Sequence, residues 1–392
     1  MRIAFYAPLK SPTHPTPSGD RRVARLLMDA LALAGHQVDL VSDFRSFEGR
    51  GDASAQAALR ARGDALAASL LETWCGGPRS AWPDLWLTYH LYYKAPDWLG
   101  PPVCRRLGIP YVVAEASYAP KRAGGPWAIG HAAVHDALRC ADLLLCPTAD
   151  DVPALRLAVQ PQARVQRLPP FLDPAPYQAA AKARESHRAH LAQSLGLDPS
   201  VPWIVVSAMM RPGDKTASYE ILAQVLARVV DQPWQMLVAG DGLAGPAIRS
   251  LLDQAAPGRC RFAGECDADA LAAVYAACDL CVWPAVNEAY GMAMLEAQAA
   301  GVAVVSCAVR GVPDVVVDGV TGLLAADGDV AGLADRVRSL LQDPARRAGM
   351  GAAAARFVAG ERSTAQAARL LQDALAPLGA AAAPQGAQGL HA

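Results

Sequence analysis

The stretch that decides the fold runs from Trp283 to Ala325 and reads WPAVNEAYGMAMLEAQAAGVAVVSCAVRGVPDVVVDGVTGLLA. It begins at the end of an apolar run, passes through a polar loop and continues into small, helix-forming residues as far as Gly301. A second apolar run, Ala303–Ser306, follows this glycine turn, which indicates a strand, a helix and another buried strand. A unit of this kind predicts parallel strands covered by helices.

The same alternation occupies the rest of the chain in two successive series. Most of the apolar runs are continuous rather than alternating, as expected for strands covered on both faces. The first series is Arg2–Pro8, Val38–Ser42, Leu85–Tyr89, Tyr111–Ala114, Leu143–Cys146 and Val165–Leu168. The second is Trp203–Ala208, Trp234–Ala239, Cys260–Phe262, Leu280–Trp283, Ala303–Ser306 and Gly322–Ala325. Helical stretches such as Arg21–Ala34 and Ser218–Val230 are long enough for right-handed crossovers. The sequence therefore predicts an α/β protein with two doubly wound, Rossmann-like domains.

Prolines mark the boundary between the two predicted domains. The segment Leu168–Pro176 has four prolines in nine residues, a composition that resists both helix and central strand. We expect an N-terminal domain over 1–172 and a C-terminal domain over 173–360, with a ligand crevice where the carboxyl edges of the sheets face each other. Residues 361–378 have helical periodicity, and 379–392, rich in Ala, Gly, Pro and Gln, are predicted to be a disordered tail.

The composition of the 392 residues argues against several classes of protein. The net charge is -1, so no overall field attracts nucleic acid or anionic lipid. No segment approaches about 20 uninterrupted apolar residues, and the N-terminus enters a strand pattern without the apolar segment of a signal peptide. The nine cysteines do not have zinc-ribbon spacing. We therefore expect a cytoplasmic protein with reduced thiols that does not bind nucleic acid.

The helix that begins near Tyr290, Gly291 and Met292 offers a binding place for a phosphate. Its first N–H groups lack partners within the helix, and this end of the helix dipole is positive. Glu288 lies in the loop before the helix, and Glu296 lies more than a turn into it. Because carboxylates accept strong hydrogen bonds from vicinal hydroxyls, one can hold a donor sugar and the other a ribose. Two glutamates at this spacing also occur by chance, so the context decides the assignment.

That context resembles the donor-binding signature of retaining GT-B glycosyltransferases of the family four type, the glycosyl transferases group 1. In that family a Glu, seven residues and a second Glu precede a helix end of small residues and an apolar strand, as Glu288, Glu296 and Ala299–Val305 do here. The segments Gly311–Val316 and Asp318–Leu324 match as well. The resemblance implies a GT-B fold, whose two Rossmann-like domains face each other across a cleft and whose last helix packs back on the N-terminal domain. It also implies sugar transfer from a nucleotide diphosphate with retained stereochemistry.

Two further places in the predicted C-terminal domain fit this family. Trp203–Lys215 resembles the strand and basic loop whose Arg and Lys bind the diphosphate, which makes Arg211 and Lys215 the candidates here. Two fixed cations would stabilise the charge of the departing nucleotide. Arg and Lys stand one residue closer than is usual, and Thr216 replaces a frequent glycine, so a solvated basic loop stays the alternative. Gly240 corresponds to a strand end beside the nucleotide.

The predicted N-terminal domain matches the family less closely. Gly19 corresponds to a glycine-rich loop that approaches the diphosphate and the acceptor, since only glycine allows so close an approach of the backbone. The family usually has a histidine after the strand matched by Tyr111–Ala114, but this sequence continues with Glu115. His90, at the end of the previous strand, is one candidate to line the same cleft, and Glu115 or Ser117 would supply the missing polar contact. The choice among them stays open.

Three functions follow from these observations. The first is a glycosyltransferase whose nucleotide sugar is a substrate and which uses no metal, because no Asp-x-Asp motif stands at a donor strand end. The missing histidine favours a second, a nucleotide-sugar binding protein with impaired turnover. The third is a nucleotide-sugar epimerase or an NAD-dependent dehydrogenase, although Gly19 alone does not make a Gly-x-Gly-x-x-Gly pattern.

The acceptor is left open as a saccharide, a lipid-linked compound or a small molecule. Arg21, Arg22 and Arg25 on the first helix could touch an anionic acceptor or the surface of a membrane. A solvated helix face explains the same three residues, and the sequence favours this simpler interpretation.

Overall fold

Two parallel sheets of six strands each organise the chain. The computed structural model describes residues 1–16 and 18–381. These residues divide into two compact units, the first containing Met1–Leu168 and the chain from Ala365 onward, the second containing Pro169–Thr364. The first division falls in the proline-rich segment, and the second falls at the start of the last helix. The predicted class, α/β with two doubly wound domains, is confirmed.

The first unit is built around the apolar runs of the first series. Its strands are β1 (Arg2–Tyr6), β2 (Gln37–Ser42), β3 (Leu85–Leu91), β4 (Tyr111–Ala116), β5 (Leu143–Cys146) and β6 (Arg164–Arg167). They pair in parallel in the order β2–β1–β3–β4–β5–β6. The helices along this part of the chain are α1 (Gly19–Leu33), α2 (Ala53–Cys75), α3 (Gly100–Leu107), α4 (Ala128–Cys140) and α5 (Val152–Ala158), with 3-10 turns at Arg79–Ala81 and Pro120–Arg122. The inner strands are almost fully buried, whereas the edge strands β2 and β6 carry polar residues and are half-buried.

The second unit repeats this architecture. Its strands are β7 (Trp203–Ser207), β8 (Gln235–Ala239), β9 (Cys260–Gly264), β10 (Leu280–Trp283), β11 (Ala303–Cys307) and β12 (Gly322–Ala325). They pair in parallel in the order β12–β11–β10–β7–β8–β9. The helices are α6 (Ala175–Lys182), α7 (Arg184–Leu195), α8 (Asp214–Arg228), α9 (Gly245–Ala255), α10 (Ala268–Ala277), α11 (Met292–Ala299), α12 (Val312–Val315), α13 (Val330–Gln342) and α14 (Pro344–Glu361).

The last helix, α15 (Thr364–Ala381), returns the chain to the first unit. The guanidinium of Arg164 in β6 donates to the carbonyl of Ala374, and Leu371 and Leu375 are fully buried. Glu361 ends α14, so the helix starts three residues later than the expected 361–378. It extends to Ala381 and therefore includes the first residues of the predicted tail, while 382–392 lie outside the described residues.

The structure corrects three local expectations. Helix α8 starts at Asp214 rather than Ser218, which places Lys215 in a helix instead of a loop. Gly19 is the first residue of α1 and not a loop glycine, because Ser18 caps this helix by accepting from the amide of Arg21 at 3.2 Å. Helix α6 begins inside the proline-rich segment, where a proline in the first turn loses no hydrogen bond.

Free cysteines account for all nine thiols of the chain. Cys278 caps the end of α10 and Cys281 lies in β10, both buried, as expected for thiols that pack in a core. Among the described helices, none combines the length and the apolar composition needed to cross a membrane.

One carboxylate ties α7 to the sheet of the second unit. Asp279, which precedes β10, accepts from Arg184 at 2.6 Å and from Arg188 at 3.0 Å, and both arginines belong to α7. It also accepts from the amide of Trp203 at 2.7 Å, where β7 starts. A single side chain thus satisfies two helix cations and one backbone donor.

We predict that Asp279→Asn destabilises the second unit by about 2–3 kcal/mol, because two half-buried guanidinium groups lose their counter-charge. Calorimetry should show the corresponding unfolding transition several degrees lower. Asp335→Asn, an exposed change on α13, serves as the control and should shift it by less than a degree or two. Equal effects of the two substitutions would show that the network contributes nothing.

Candidate active site

Each sheet has one place where the order of its strands reverses. In the first sheet the chain leaves β1 for β2 on one side and later enters β3 on the other side. In the second sheet it proceeds from β7 through β9 on one side and then enters β10 on the other. Ligands of open α/β sheets bind outside the carboxyl ends of the strands at such a switch point. The predicted site residues lie at or beside these two places.

An ion pair spans the switch point of the second unit. Lys215 is the second residue of α8, which follows β7, and Glu288 lies in the loop that follows β10. The Nζ atom of Lys215 is 2.6 Å from Oε2 of Glu288, and the side chains are 23% and 19% exposed. The same Nζ lies 5.4 Å from the centre of the Trp283 ring. The sequence assigned both residues to the donor, and the structure shows that they contact each other.

The loop that carries Glu288 is clamped onto the start of α8. The amide of Val286 donates to Oγ of the buried Ser218 at 3.0 Å. Asn287 donates from Nδ2 to Asp214 at 3.0 Å and accepts from Arg310 at 2.8 Å. Asn287 has φ 52°, a left-handed conformation that Asn tolerates better than most residues. Sequence reasoning missed these supports, and the only signal for them is the polar pair Asn287–Glu288.

Two helices start at this switch point without a side-chain cap. Gly213 precedes α8 with φ 94°, and Gly291 precedes α11 with φ 74°. A Cβ on Gly291 would lie 2.6 Å from the flexible end of Met294 and 2.9 Å from Cγ2 of Val315, and the positive φ makes any larger residue strained there. Tyr290 and Met292 flank this glycine and are half-buried. Uncapped helix starts leave backbone N–H groups available to an anion.

Glu296 has a different environment from Glu288. It is the fifth residue of α11, as predicted, and it is only 4% exposed. Burial raises the pKa of Tyr275 well above its usual value, and the nearby charge of Glu296 raises it further. Glu288 is therefore partly exposed to solvent, whereas Glu296 is buried.

Arg211 lies in the loop between β7 and α8 and is exposed. Its carbonyl accepts a hydrogen bond from Oγ1 of Thr216 at 3.0 Å. Thr216, which differs from the residue expected in this family, thus holds the two ends of the basic loop together. Arg211 therefore lies in the loop just before the helix that carries Lys215, and the two cations do not share one loop as the sequence suggested.

Gly240 is required by the packing of two loops at the ends of β7 and β8. It has φ 126°, and a Cβ at this position would lie 2.2 Å from the carbonyl oxygen of Ala208. The backbone ladder continues past the strands here, because the amide of Met210 donates to the carbonyl of Asp241 at 2.9 Å. The absence of a side chain at residue 240 therefore has a structural cause, whatever the loop binds.

The switch point of the first unit carries a second charged cluster. Nδ1 of His90, in β3, is 2.9 Å from Oδ1 of Asp20 and 3.5 Å from Oε1 of Glu115 in β4. Asp20 is the second residue of α1. His90 and Glu115 were both candidates from the sequence, whereas Asp20 was missed because it reads as an ordinary acidic residue in a first helical turn. Ser117 follows β4 and is exposed.

Burial lowers the pKa of His90, but the charges of Glu115 and Asp20 outweigh burial and raise it above its usual value. The pKa of Asp20 is lowered, since the contact with His90 more than offsets the effect of burial. The two directions agree with an ionised pair. The cluster therefore favours a protonated imidazole held between two carboxylates.

Two arginines of α1 hold the loop that precedes the helix. Arg21 donates to the carbonyls of His14 at 2.9 Å and Pro15 at 3.1 Å. Arg25 donates to the carbonyl of Pro12 at 2.7 Å. These guanidinium groups donate to backbone carbonyls of the chain itself. The sequence instead predicts a solvated helix face or a contact with an anionic surface.

Taken by its parts, the second unit offers a lysine, an exposed arginine, two uncapped helix starts and a surface carboxylate at the carboxyl end of a parallel sheet. Cations and backbone amides suit a diphosphate, and carboxylates suit the hydroxyls of a sugar. Among the residues described, no group of three or more His, Cys, Asp or Glu side chains could hold a metal ion. This geometry defines an α/β unit suited to a phosphorylated, hydroxyl-bearing ligand.

Comparison with known proteins specifies the class further. The model of the family Glycosyl transferases group 1 matches residues 202–343, which contain this entire switch point. The resemblance predicted from Glu288 and Glu296 is therefore confirmed for this segment. A relative, the D-inositol 3-phosphate glycosyltransferase of Corynebacterium aurimucosum, is 45% identical over 84 residues, which are 21% of this chain and 20% of that protein. The chain thus aligns with about a fifth of that relative's length.

Solved structures extend the similarity to the whole fold. The sucrose-phosphate synthase of Thermosynechococcus elongatus has a TM-score of 0.71 at 21% identity, covering 97% of this chain and 99% of that one. HepE of Anabaena in complex with UDP-glucose has a TM-score of 0.67 at 18% identity, covering 96% and 100%. At this level of identity the similarity establishes the fold, which is the GT-B fold expected from the sequence.

We predict that Gly240→Ala lowers the stability of the second unit by more than about 2 kcal/mol, because the new methyl group meets a backbone carbonyl and the φ angle is unfavourable. Gly196→Ala is the matched control. That glycine also has a positive φ, 65°, but nothing lies within 4 Å of its Cβ position, so strain alone should cost about 1 kcal/mol. Thermal unfolding measures both. If Gly240→Ala were no worse than the control, the close packing described here would be wrong.

Proposed function

We propose that this protein is a glycosyltransferase that moves a sugar from a nucleoside-diphosphate donor to a hydroxyl of an acceptor. The observation that carries the proposal is the Lys215–Glu288 pair, which joins a cation and a sugar-binding carboxylate at the switch point of the second unit. The group 1 family match covers both residues. The complex of the similar HepE structure with UDP-glucose supports a nucleotide sugar as the donor.

In this proposal the diphosphate binds to Lys215, Arg211 and the amides at the starts of α8 and α11, around Tyr290, Gly291 and Met292. Fixed donors of this kind stabilise the negative charge of the leaving group without reorganising. Glu288 accepts hydrogen bonds from the hydroxyls of the donor sugar, and Glu296 contacts the ribose. Gly240 is the proposed close approach of the second unit's backbone to the nucleotide.

The reaction breaks the bond between the anomeric carbon and the diphosphate oxygen, which leaves with both bonding electrons. The acceptor oxygen forms the new bond to the same carbon, and its proton is released with the nucleoside diphosphate. We expect the configuration at the anomeric carbon to be retained, as the resemblance implies. We also expect no metal ion to be required, because cationic side chains and helix amides face the diphosphate instead. A cytoplasmic location would suit the nine reduced thiols.

The ion pair shapes how the donor binds. An ammonium group has three N–H donors, so Lys215 can contact a phosphate oxygen while one N–H still points to Glu288. The incoming diphosphate nevertheless competes with Glu288 for the same cation. Glu288 is therefore freed to accept from sugar hydroxyls when the phosphate takes over part of the charge of Lys215.

The proposal is tested by measuring how the full chain binds and turns over a panel of UDP-, GDP-, ADP- and TDP-sugars, with and without EDTA. Thermal shift identifies the donor, since a ligand at 100 times its Kd adds about 2.7 kcal/mol of stability. Release of the nucleoside diphosphate then measures transfer or hydrolysis, which we expect to survive EDTA. Binding without any turnover would instead identify an impaired binding protein, and an altered sugar on an intact nucleotide would identify an epimerase. Binding by no nucleotide sugar would overturn the proposal.

We predict that Glu288→Gln lowers kcat by about 10²–10³-fold, because the neutral amide no longer stabilises the positive charge that develops on the sugar. Affinity for the free nucleoside diphosphate should stay the same or increase up to about fivefold, since Lys215 is released from a pair worth about 1 kcal/mol. Glu296→Gln should mainly raise the KM for the donor. Steady-state kinetics and calorimetry with the nucleotide measure the three quantities.

Two further variants complete the comparison. Lys215→Ala should weaken nucleotide binding by about 1.5–3 kcal/mol, the opposite direction to Glu288→Gln. Glu220→Gln, an exposed change on α8, should leave kinetics and affinity unchanged. Wild-type turnover in Glu288→Gln, or equal loss of nucleotide affinity in Glu288→Gln and Lys215→Ala, contradicts the roles assigned to this pair.

A further inference from the structure

The cluster Asp20–His90–Glu115 lies where an open sheet binds its ligands. β1 and β3 are neighbours at the switch point of the first sheet. Asp20 stands in the first turn of the helix that follows β1, and His90 stands near the end of β3. The hydrogen bond of 2.9 Å between them therefore spans the switch point, the place where ligand-binding side chains of such sheets are found.

Two residues of the cluster have a costly backbone conformation. His90 has φ 60° and Glu115 has φ 62°. They face each other on adjacent strands, between the register pairs Tyr89–Ala114 and Leu91–Ala116. A left-handed conformation costs a residue other than glycine roughly 1–2 kcal/mol. The paired strands keep this conformation at both positions and thereby bring the two side chains together.

The two nitrogens of the His90 imidazole differ in their hydrogen bonding. Nδ1 faces both carboxylates, so its N–H donates to Asp20. Within the part of the chain that the structure describes, Nε2 makes no hydrogen bond, and the side chain of His90 is 19% exposed. The ring is thus oriented by Asp20, and part of the His90 side chain remains exposed.

We propose that Asp20, His90 and Glu115 form a hydroxyl-binding site, in which Asp20 is the positioning residue that holds His90 with Nε2–H toward a neutral, polyhydroxylated part of the acceptor. This inference rests on the proposed function, because it assigns the acceptor of that reaction to a chemical class. Asp20 itself does not contact the acceptor in this arrangement.

The charges of the cluster select the class of ligand. Two carboxylates around one imidazolium leave a net negative charge, which repels a phosphate or another anionic group. A neutral hydroxyl oxygen can accept from Nε2–H without bringing a further negative charge near the two carboxylates, which both face Nδ1. The hydroxyls of a sugar or cyclic polyol are neutral acceptors of this kind.

The protonation of His90 responds to groups on several elements. The charged groups that raise the pKa of His90 are Glu115 of β4 and Asp20 of α1. The rings of Tyr89 and Tyr92 pack against its imidazole, with ring centres 5.9 Å and 5.1 Å away, and Lys10 helps to lower the pKa of Asp20. Both carboxylates favour the cation. Hydroxyl binding through Nε2–H should therefore be strong at low pH and weaken as the pH rises through the raised pKa of His90.

The first experiment tests the positioning role by NMR titration of the His90 imidazole in the full chain. Asp20→Asn should lower the pKa of His90 by about one unit or more, and Asp20→Glu should restore part of it. Asp29→Asn, an exposed change on the same helix, should leave it unchanged. An unaltered pKa in folded Asp20→Asn would overturn the role of Asp20.

The second experiment tests the ligand class with glucose, myo-inositol and inorganic phosphate as probes, observed at the His90 resonances. The neutral polyols should shift these resonances, with about tenfold weaker binding in Asp20→Asn, and phosphate should not. A response to phosphate alone, or to none of the probes, would overturn the assignment. UDP binding measured in parallel separates the two failures. If nucleotide binds while His90 stays silent, only this inference fails, and if no nucleotide binds, the proposed function fails.

Discussion

Parallel strand pairing is the constraint on which the remaining features depend. Strands that run in one direction end at one edge, so every residue that follows a strand is delivered to the same side of its sheet. Where the strand order reverses, the connections from two neighbouring strands leave in opposite directions, so a crevice forms between the carboxyl ends of these strands. In the second unit this reversal brings Lys215, which follows β7, to Glu288, which follows β10, although 73 positions separate them in sequence. No local preference of either residue would produce that contact.

The two units use this place in the same way with opposite charges. In each, the second residue of the helix after the first strand pairs with a residue that lies near the end of the strand across the switch point or in the loop that follows it. Asp20 meets His90 in one unit, and Lys215 meets Glu288 in the other. The cationic arrangement suits a diphosphate, whereas the arrangement with two carboxylates suits hydroxyls. A common architecture therefore supports two different ligand chemistries through the choice of two side chains.

Sequence patterns predicted the elements whose residues are uniformly apolar. β5, β10 and β12 were predicted to the residue, because a short continuous apolar run between turn signals is typical of a buried strand. The start of α8 was missed because Pro-Gly-Asp-Lys reads as a loop, and nothing apolar marks its first turn. The left-handed conformations at His90 and Glu115 have no local signal, since they are imposed by the neighbouring strand. The Asp20–His90 contact followed from tertiary structure alone, so the sequence could suggest His90 but could not suggest its partner.

The pairing of Lys215 with Glu288 has a consequence for how strongly nucleotide affinity depends on salt. A lone lysine in such a place would attract ions from solution, and binding of a diphosphate would release them. Here the site holds its own counterion, so one anionic partner of Lys215 is replaced by another. The contribution of this lysine to nucleotide affinity should therefore depend only weakly on ionic strength, while the exposed Arg211 remains subject to screening.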